Sequence, residues 1–135
     1  MTTLAKSIHI TLDDAQRRLT AIVERAEQER GAGCRYQDID HDWWQSHNHG
    51  CRYFDEAGKP MCLIGVLLAE YGITQQDAQD ANTRDLRALA HHLGEKVDFD
   101  RDAYGFLRTV QIHQDHRSTW REALDRGNRE VRGTW

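Results

Sequence analysis

The segment CRYFDEAGKPMCLIGVLLAEYG, residues 51–72, decides the fold because its residue pattern changes halfway along. Its first half is aromatic and strand-like, and the letters DEAGK that follow have the composition of a tight turn. This half predicts a small antiparallel hairpin. In a symmetric register, Phe54 faces Lys59 and Cys51 faces Cys62.

The second half of the segment, CLIGVLLAEYG, is apolar nearly all round. Such a run without a polar stripe is typical of a buried central helix. Gly65 inside it favours close packing against a neighbouring element, and Gly72 supplies a C-terminal cap.

Four further helices are indicated by capping residues and by apolar residues at helical spacing. The first spans residues 12–30, with Thr11 as its N-cap and the letters GAG after its end. A second is predicted over residues 83–94 and a third after Asp100. A fourth opens with the capping box TWRE at Thr119 and runs to Gly127 or slightly beyond.

A second short segment of strand character covers residues 34–36, CRY. Together with the hairpin it predicts a small antiparallel sheet of two or three strands. No linker, repeat or low-complexity stretch divides the chain. We therefore expect an α+β fold in a single domain, residues 1–135, with four or five helices packed against that sheet.

The charge balance and the cysteine count restrict the classes of function. Acidic and basic residues are interspersed, and the net charge is −4, which disfavours nucleic acid as a partner. The apolar run from Met61 to Ala69 is too short to cross a bilayer, and residues 1–10 do not resemble a signal peptide. Three cysteines without a secretion signal indicate reduced thiols and a cytoplasmic protein. The oligomeric state stays open.

The first candidate site is a metal centre. Six zinc-competent side chains lie in the first half of the chain, namely Cys34, His41, His47, His49, Cys51 and Cys62. The alternative interpretation is a zinc site formed by His47, His49, Cys51 and Cys62. The favoured one has no cofactor, because a Cys-x-x-Cys pair is missing and buried cysteines behave as small apolar residues.

The second candidate is a hydrolytic metal centre. The letters HNH at residues 47–49 resemble a nuclease name only typographically. Alternating carboxylates at Asp38, Asp40 and Asp42 would line one face of an extended segment and add hard ligands. A metal-dependent nucleic-acid hydrolase is thus the alternative function. The sequence favours a non-enzymatic protein, since no nucleophile elbow or phosphate-binding loop is present.

The segment QIHQDH, residues 111–116, is a third candidate. His113 and His116 are three positions apart and would share one face of a helix, next to Gln111, Gln114 and Asp115. The alternative is a helix terminus whose polar groups cap a turn, and this interpretation is favoured. The adjacent pair His91 and His92 is interpreted in the same way.

The last candidate is a contact surface in the segment HDWWQSHNHG, residues 41–50, which we predict to be a loop. Adjacent tryptophans on irregular backbone point in different directions, and tryptophan is a frequent anchor at protein interfaces. Trp43, Trp44, His47 and His49 are therefore the expected partner-binding residues. The alternative is that both rings close over the hairpin as a lid.

The segments CRYFDEAGKPMCLIGVLLAEYG and FLRTVQIHQDHRSTWREAL together resemble a layout found in small uncharacterised proteins of actinobacterial phages and their hosts. The matching residues are Cys51, Tyr53, Gly58, Cys62, Leu63, Gly65, Gln111, Gln114, Asp115 and Trp120. The resemblance implies a shared fold and carries no activity. It also implies a phage-encoded protein in the host cytoplasm that binds a host or phage protein.

Overall fold

The described part of the chain, residues 7–47 and 51–132 of this computed structural model, is mainly helical. It contains two strands, β1 (Ile8–Ile10) and β2 (Val97–Phe99). Its eight α-helices are α1 (Leu12–Arg30), α2 (Tyr36–Ile39), α3 (His41–His47), α4 (Leu63–Glu70), α5 (Gln75–Ala78), α6 (Leu86–Leu93), α7 (Arg101–Asp115) and α8 (Trp120–Arg132). Five of them span eight residues or more. The other three, α2, α3 and α5, are shorter and were not predicted as helices from the sequence.

The sheet is parallel, so the predicted antiparallel arrangement was wrong. β1 pairs with β2 in parallel, with Ile8 opposite Val97 and Ile10 opposite Phe99. The backbone N–H of Asp100 donates to the carbonyl of Ile10 at 3.0 Å and extends the pairing by one residue. Each strand has only three residues, which is too short for an alternating pattern to stand out in the sequence.

The predicted strand at residues 34–36 and the predicted hairpin register were also wrong. Tyr36 begins helix α2, and the turn after Phe54 forms a single antiparallel bridge between Phe54 and Pro60. The Asp55 side chain accepts hydrogen bonds from the backbone N–H groups of Ala57 and Lys59, which closes the turn one residue out of the symmetric register. Gly58 takes a φ of +86° there.

Both predicted ends of the first helix and the predicted start of the last helix were confirmed, whereas the last helix continues beyond Gly127 to Arg132. The Thr11 side chain accepts a hydrogen bond from the backbone N–H of Asp14 at 3.2 Å and caps α1, which ends at Arg30. At α8, Thr119 and Glu122 form the reciprocal bonds of a capping box, at 2.8 and 3.1 Å.

The segment HDWWQSH is helical, so its prediction as a loop was wrong. α3 follows α2 almost directly, and the backbone N–H of Trp44 donates to the carbonyl of Asp40 at 2.9 Å. The Ser46 hydroxyl donates to the carbonyl of Asp42 at 2.9 Å. Polar residues outnumber the two tryptophans in this segment, so it has no broad apolar stripe. The sequence therefore gave no helical spacing of apolar residues from which α3 could be predicted.

The buried apolar side chains form one continuous core, to which α1, α4, α7 and α8 contribute most of their inward faces. Two glycines allow close approach within it. A Cβ on Gly65 would lie 2.2 Å from the carbonyl oxygen of Tyr53, which confirms the predicted close packing of α4. A Cβ on Gly127 of α8 would lie 2.6 Å from the Val110 side chain of α7. Within residues 7–47 and 51–132, no helix is both long and apolar enough to cross a bilayer.

Candidate functional site

The base of α3 is held by a buried hydrogen-bond network. Asp40, whose side chain is only 5% exposed, accepts two hydrogen bonds from the Arg52 guanidinium, at 2.8 and 3.0 Å. The Tyr36 hydroxyl donates to Asp40 at 2.9 Å and accepts from the backbone N–H of Arg52 at 3.1 Å. Burial raises the pKa of Tyr36, which keeps this hydroxyl protonated as a donor. The network therefore fixes α2 and α3 relative to the backbone at Arg52, which precedes the turn after Phe54.

Each tryptophan of α3 lies beneath an arginine. The Arg52 guanidinium carbon is 5.5 Å from the centre of the Trp43 ring, and that of Arg117 is 4.9 Å from the Trp44 ring. Both distances are within cation–π range. Both rings are half-buried and pack against the hydrophobic core on one side. We call Trp43, Trp44, Arg52 and Arg117 the Trp–Arg surface.

The structure brings together only part of the predicted contact set. Trp43 and Trp44 are neighbours on α3, as the sequence requires. His47 is the last residue of α3, but its side chain and the whole of His49 lie outside the described residues. The carboxylates of Asp38, Asp40 and Asp42 do not share one face, because their backbone is helical and Asp40 is buried against Arg52.

The two cysteines of the zinc interpretation are buried neighbours. Cys51 is 3% exposed and Cys62 is fully buried, and the Cys62 thiol is near enough to raise the pKa of Cys51. Cys62 also accepts a hydrogen bond from the backbone N–H of Gly65 at 3.4 Å and caps α4. The hydrogen bond to Cys62, together with burial, raises the pKa of Cys51 well above its ordinary range. Metal binding requires thiolates, whereas the surroundings of Cys51 favour its neutral thiol.

A third polar group of α7 meets this thiol pair. Asp115 is largely buried, and burial raises the pKa of its carboxyl to about 6 although Gln114 and Cys51 both donate hydrogen bonds to it. Within the described residues, the three ligand atoms of Cys51, Cys62 and Asp115 do not come as close together as those of one metal ion would. The cluster instead places a carboxyl with a raised pKa beside the Cys51 thiol, whose pKa is raised as well.

Gln111 and Gln114 of α7 cap the first residues of two other helices. The sequence had suggested only that polar groups at the end of their own helix cap a turn. Gln111 Oε1 accepts from the backbone N–H of Leu86 at 2.7 Å, and Gln114 Oε1 accepts from that of Leu63 at 2.8 Å. These are the first residues of α6 and α4. Gln111 also donates to the hydroxyl of Tyr53. Four of the residues that carry the resemblance, Tyr53, Leu63, Gln111 and Gln114, thus form hydrogen bonds in the interior that connect α7 to other segments.

The remaining candidates from the sequence are separate from one another. Cys34 is buried, its carbonyl accepts from the backbone N–H of Trp120 at 2.8 Å, and burial raises the pKa of its thiol. His113 is part-buried, and desolvation is the main cause of its lowered pKa, while His116 is the C-cap residue that follows α7. His41, His91 and His92 are exposed.

Sequence reasoning missed one polar cluster, at the sheet. His9 of β1 lies between two carboxylates, with Nδ1 2.8 Å from Asp98 and Nε2 3.0 Å from Asp100. Among the described residues, this is the group whose three possible ligand atoms lie within 4.8 Å of one another. Both ring nitrogens already have a carboxylate partner, and all three side chains are at least 44% exposed, so the cluster is explained as a surface ion pair across the strands. In the sequence, the cluster is marked only by the alternation of polar and apolar residues in IHI (residues 8–10) and VDFD (residues 97–100). Neither segment was predicted as a strand.

Comparison of the chain with protein-family models, with curated proteins and with solved structures gives no match.

Proposed function

We propose that this chain is a non-enzymatic protein-interaction module whose contact site is the Trp–Arg surface. The observation that carries the proposal is that two adjacent tryptophans stay half-buried, each beneath an arginine, on a helix whose base is fixed by a buried ion pair. Tryptophan and arginine are the residues most enriched at the energetic centres of protein interfaces.

Rigidity of the surface supports this proposal. A partner that orders flexible side chains loses binding free energy for each one it immobilises. Arg52 is already held by two hydrogen bonds to Asp40, and its guanidinium already lies over Trp43. The side-chain conformation that a partner would contact is thus present before binding.

The resemblance to proteins of actinobacterial phages and their hosts supports a host or phage protein as the partner, with the host cytoplasm as the location. A net charge of −4 argues against nucleic acid. A zinc protein, the alternative interpretation, gains no support from Cys51, whose surroundings favour the protonated thiol.

Site-specific photo-crosslinking tests the proposal. A photoreactive amino acid replaces Gln45, which is exposed on α3 between the tryptophans and the helix end, and crosslinked proteins are recovered from the cytoplasm of an actinobacterial host. We expect specific crosslinks that the variant Trp43→Ala/Trp44→Ala loses. The matched control Ile112→Ala/Val131→Ala removes the large apolar side chains exposed on α7 and α8 and should retain them.

Circular dichroism and an unfolding curve establish that each variant is folded. If folded Trp43→Ala/Trp44→Ala gives the same crosslinks as the unaltered chain, the Trp–Arg surface is not the contact site.

A further inference from the structure

The two arginines of the Trp–Arg surface differ in how far their charge is compensated. Arg52 donates two hydrogen bonds to the buried carboxylate of Asp40, at 2.8 and 3.0 Å, so its positive charge is paired within the fold. Arg117 is exposed, and its guanidinium lies over the Trp44 ring. Within the part of the chain that the structure describes, the Arg117 side chain makes no ion pair and no hydrogen bond. Its N–H donors are therefore available to a partner that contacts Trp44.

The acidic side chains nearest to Arg117 in the sequence are engaged elsewhere. Asp115 accepts a hydrogen bond from the Gln114 side chain at 3.1 Å. Glu122 accepts one at 2.8 Å from the backbone in the capping box of α8. Neither carboxylate is paired with the Arg117 guanidinium.

The acid of α3 lies on the other side of that helix from Trp44. Successive residues of a helix are about 100° apart, so Asp42 is displaced by about 200° from Trp44. His41, three residues before Trp44, shares its face and is exposed, and it adds no negative charge. An uncompensated cation beside an aromatic ring is complementary to a carboxylate with a neighbouring apolar group.

The backbone of Arg117 is in the left-handed conformation. Its φ is +72°, and among the described residues Gln79 is the other non-glycine residue with a positive φ. This conformation is unfavourable for a residue with a Cβ, and glycine usually occupies it. The turn between α7 and α8 thus holds an arginine where glycine would relieve strain, although the guanidinium forms no ion pair within the described residues. Contact between the guanidinium and a partner would account for an arginine at this position.

We propose that Arg117 determines which partner the Trp–Arg surface accepts, and that this partner is a polypeptide segment with an Asp or Glu side chain next to an apolar one. This inference rests on the proposed function. The partner's carboxylate accepts two hydrogen bonds from the planar guanidinium of Arg117, and the apolar side chain packs on the exposed part of Trp44. Because the Trp44 ring already lies under the guanidinium, little side-chain entropy is lost when this pair forms.

Selection from a yeast-displayed library of random peptides, with the folded protein as bait, tests the proposal. We expect the selected peptides to be enriched in Asp or Glu beside an apolar residue. Synthetic copies should bind more weakly as the salt concentration rises. Arg117→Gln should weaken their binding about tenfold, because it removes charge-assisted hydrogen bonds.

Arg101→Gln is the matched control. It removes the same charge at the exposed first residue of α7, roughly 22 Å from the other end of that helix, and should leave peptide binding unchanged.

Two further variants separate the charge of Arg117 from any role in stability. Arg117→Glu should prefer peptides in which Lys replaces the acidic residue over the peptides originally selected, since the charge of the surface is reversed. Arg117→Gly relieves the left-handed backbone, so peptide binding should be lost while the melting temperature does not fall.

The outcomes distinguish this inference from the proposed function. If the selected peptides require Trp43 and Trp44 but bind Arg117→Gln as tightly as the unaltered chain, the inference is overturned and the contact site stands. If folded Trp43→Ala/Trp44→Ala binds them equally well, both are overturned. The inference also fails if no peptide is selected, if oligothymidylate binds more tightly than the acidic peptides, or if Arg117→Gly lowers the melting temperature.

Discussion

The side-chain oxygen of Gln114 on α7 accepts a hydrogen bond from the backbone N–H of Leu63, 2.8 Å away, at the first residue of α4. The first N–H groups of a helix have no partner within the helix, and this one is buried. Gln114→Ala removes the acceptor and leaves the buried N–H of Leu63 unpaired, so we expect the free energy of unfolding to fall by about 1–3 kcal/mol. Urea denaturation measures the change. Gln76→Ala, at an exposed position of α5, serves as the control, and an equal loss in both variants would disprove the capping role.

Gly65 and Gly105 predict opposite responses to the same substitution. Gly65→Ala places a methyl group 2.2 Å from the Tyr53 carbonyl, so the overpacked interior should lose about 1–3 kcal/mol or more. Gly105→Ala on α7 meets nothing within 4 Å and should gain about 0.5–1 kcal/mol from helix propensity. Thermal unfolding of both variants checks the pair. A Gly65→Ala protein as stable as Gly105→Ala would contradict the close approach.

The raised pKa of Asp115 predicts that the free energy of unfolding depends on pH. Burial raises the pKa of its carboxyl from 3.8 to about 6, so the folded state binds a proton that the unfolded state has released between these values. The stabilisation is complete below about pH 4 and is lost as the pH rises through 6, by at most about 3 kcal/mol. Asp115→Asn keeps an acceptor for Cys51 and does not ionise. Urea unfolding from pH 4 to pH 7 should show the unaltered chain losing stability relative to this variant, and a constant difference would be inconsistent with the raised pKa.

Arg52 compensates a buried charge. In Arg52→Ala, Asp40 keeps the Tyr36 hydroxyl but loses its ion pair, and we expect a loss of about 3 kcal/mol. In Arg52→Ala/Asp40→Asn the buried charge is gone as well, so this double variant should be more stable than the single one. Denaturation of the complete double-mutant cycle gives the coupling energy, with exposed Arg87→Ala as the control. Additive effects would show that the two side chains are independent.

The cysteine thiols should be inert in the folded protein. Cys34, Cys51 and Cys62 are at most 5% exposed, and burial contributes to the raised pKa of Cys34 and Cys51. We expect Ellman's reagent to label the native protein only as fast as it unfolds, and to label all three thiols at once in urea. Rapid native labelling would refute this prediction. Labelling that accelerates after addition of a chelator would instead indicate a thiol-bound metal.

The helices with strong local end signals were predictable from the sequence, and the sheet was not. Thr11 and the pair Thr119 and Glu122 cap their helices with side chains within three residues of the bonds they form. β1 and β2 have three residues each, and what makes them strands is their pairing across the chain, which no local window contains.

The candidate site, too, was predictable from the sequence only in part. Adjacent tryptophans marked Trp43 and Trp44 as a possible contact surface, but nothing near them in sequence indicates that Arg117 lies over Trp44. The helix that carries them is fixed from outside by Arg52, and its own residues contain no apolar stripe.

The parallel pairing of β1 with β2 also constrains the order of assembly during synthesis. His9 and its partner Asp98 are 89 positions apart, and every helix from α1 to α6 lies between the two strands. On the ribosome, β1 stays unpaired until Phe99 has emerged, so the first strand to be made is among the last to be completed. The pairing of β1 with β2 therefore requires residues that are synthesised only after helices α1 to α6.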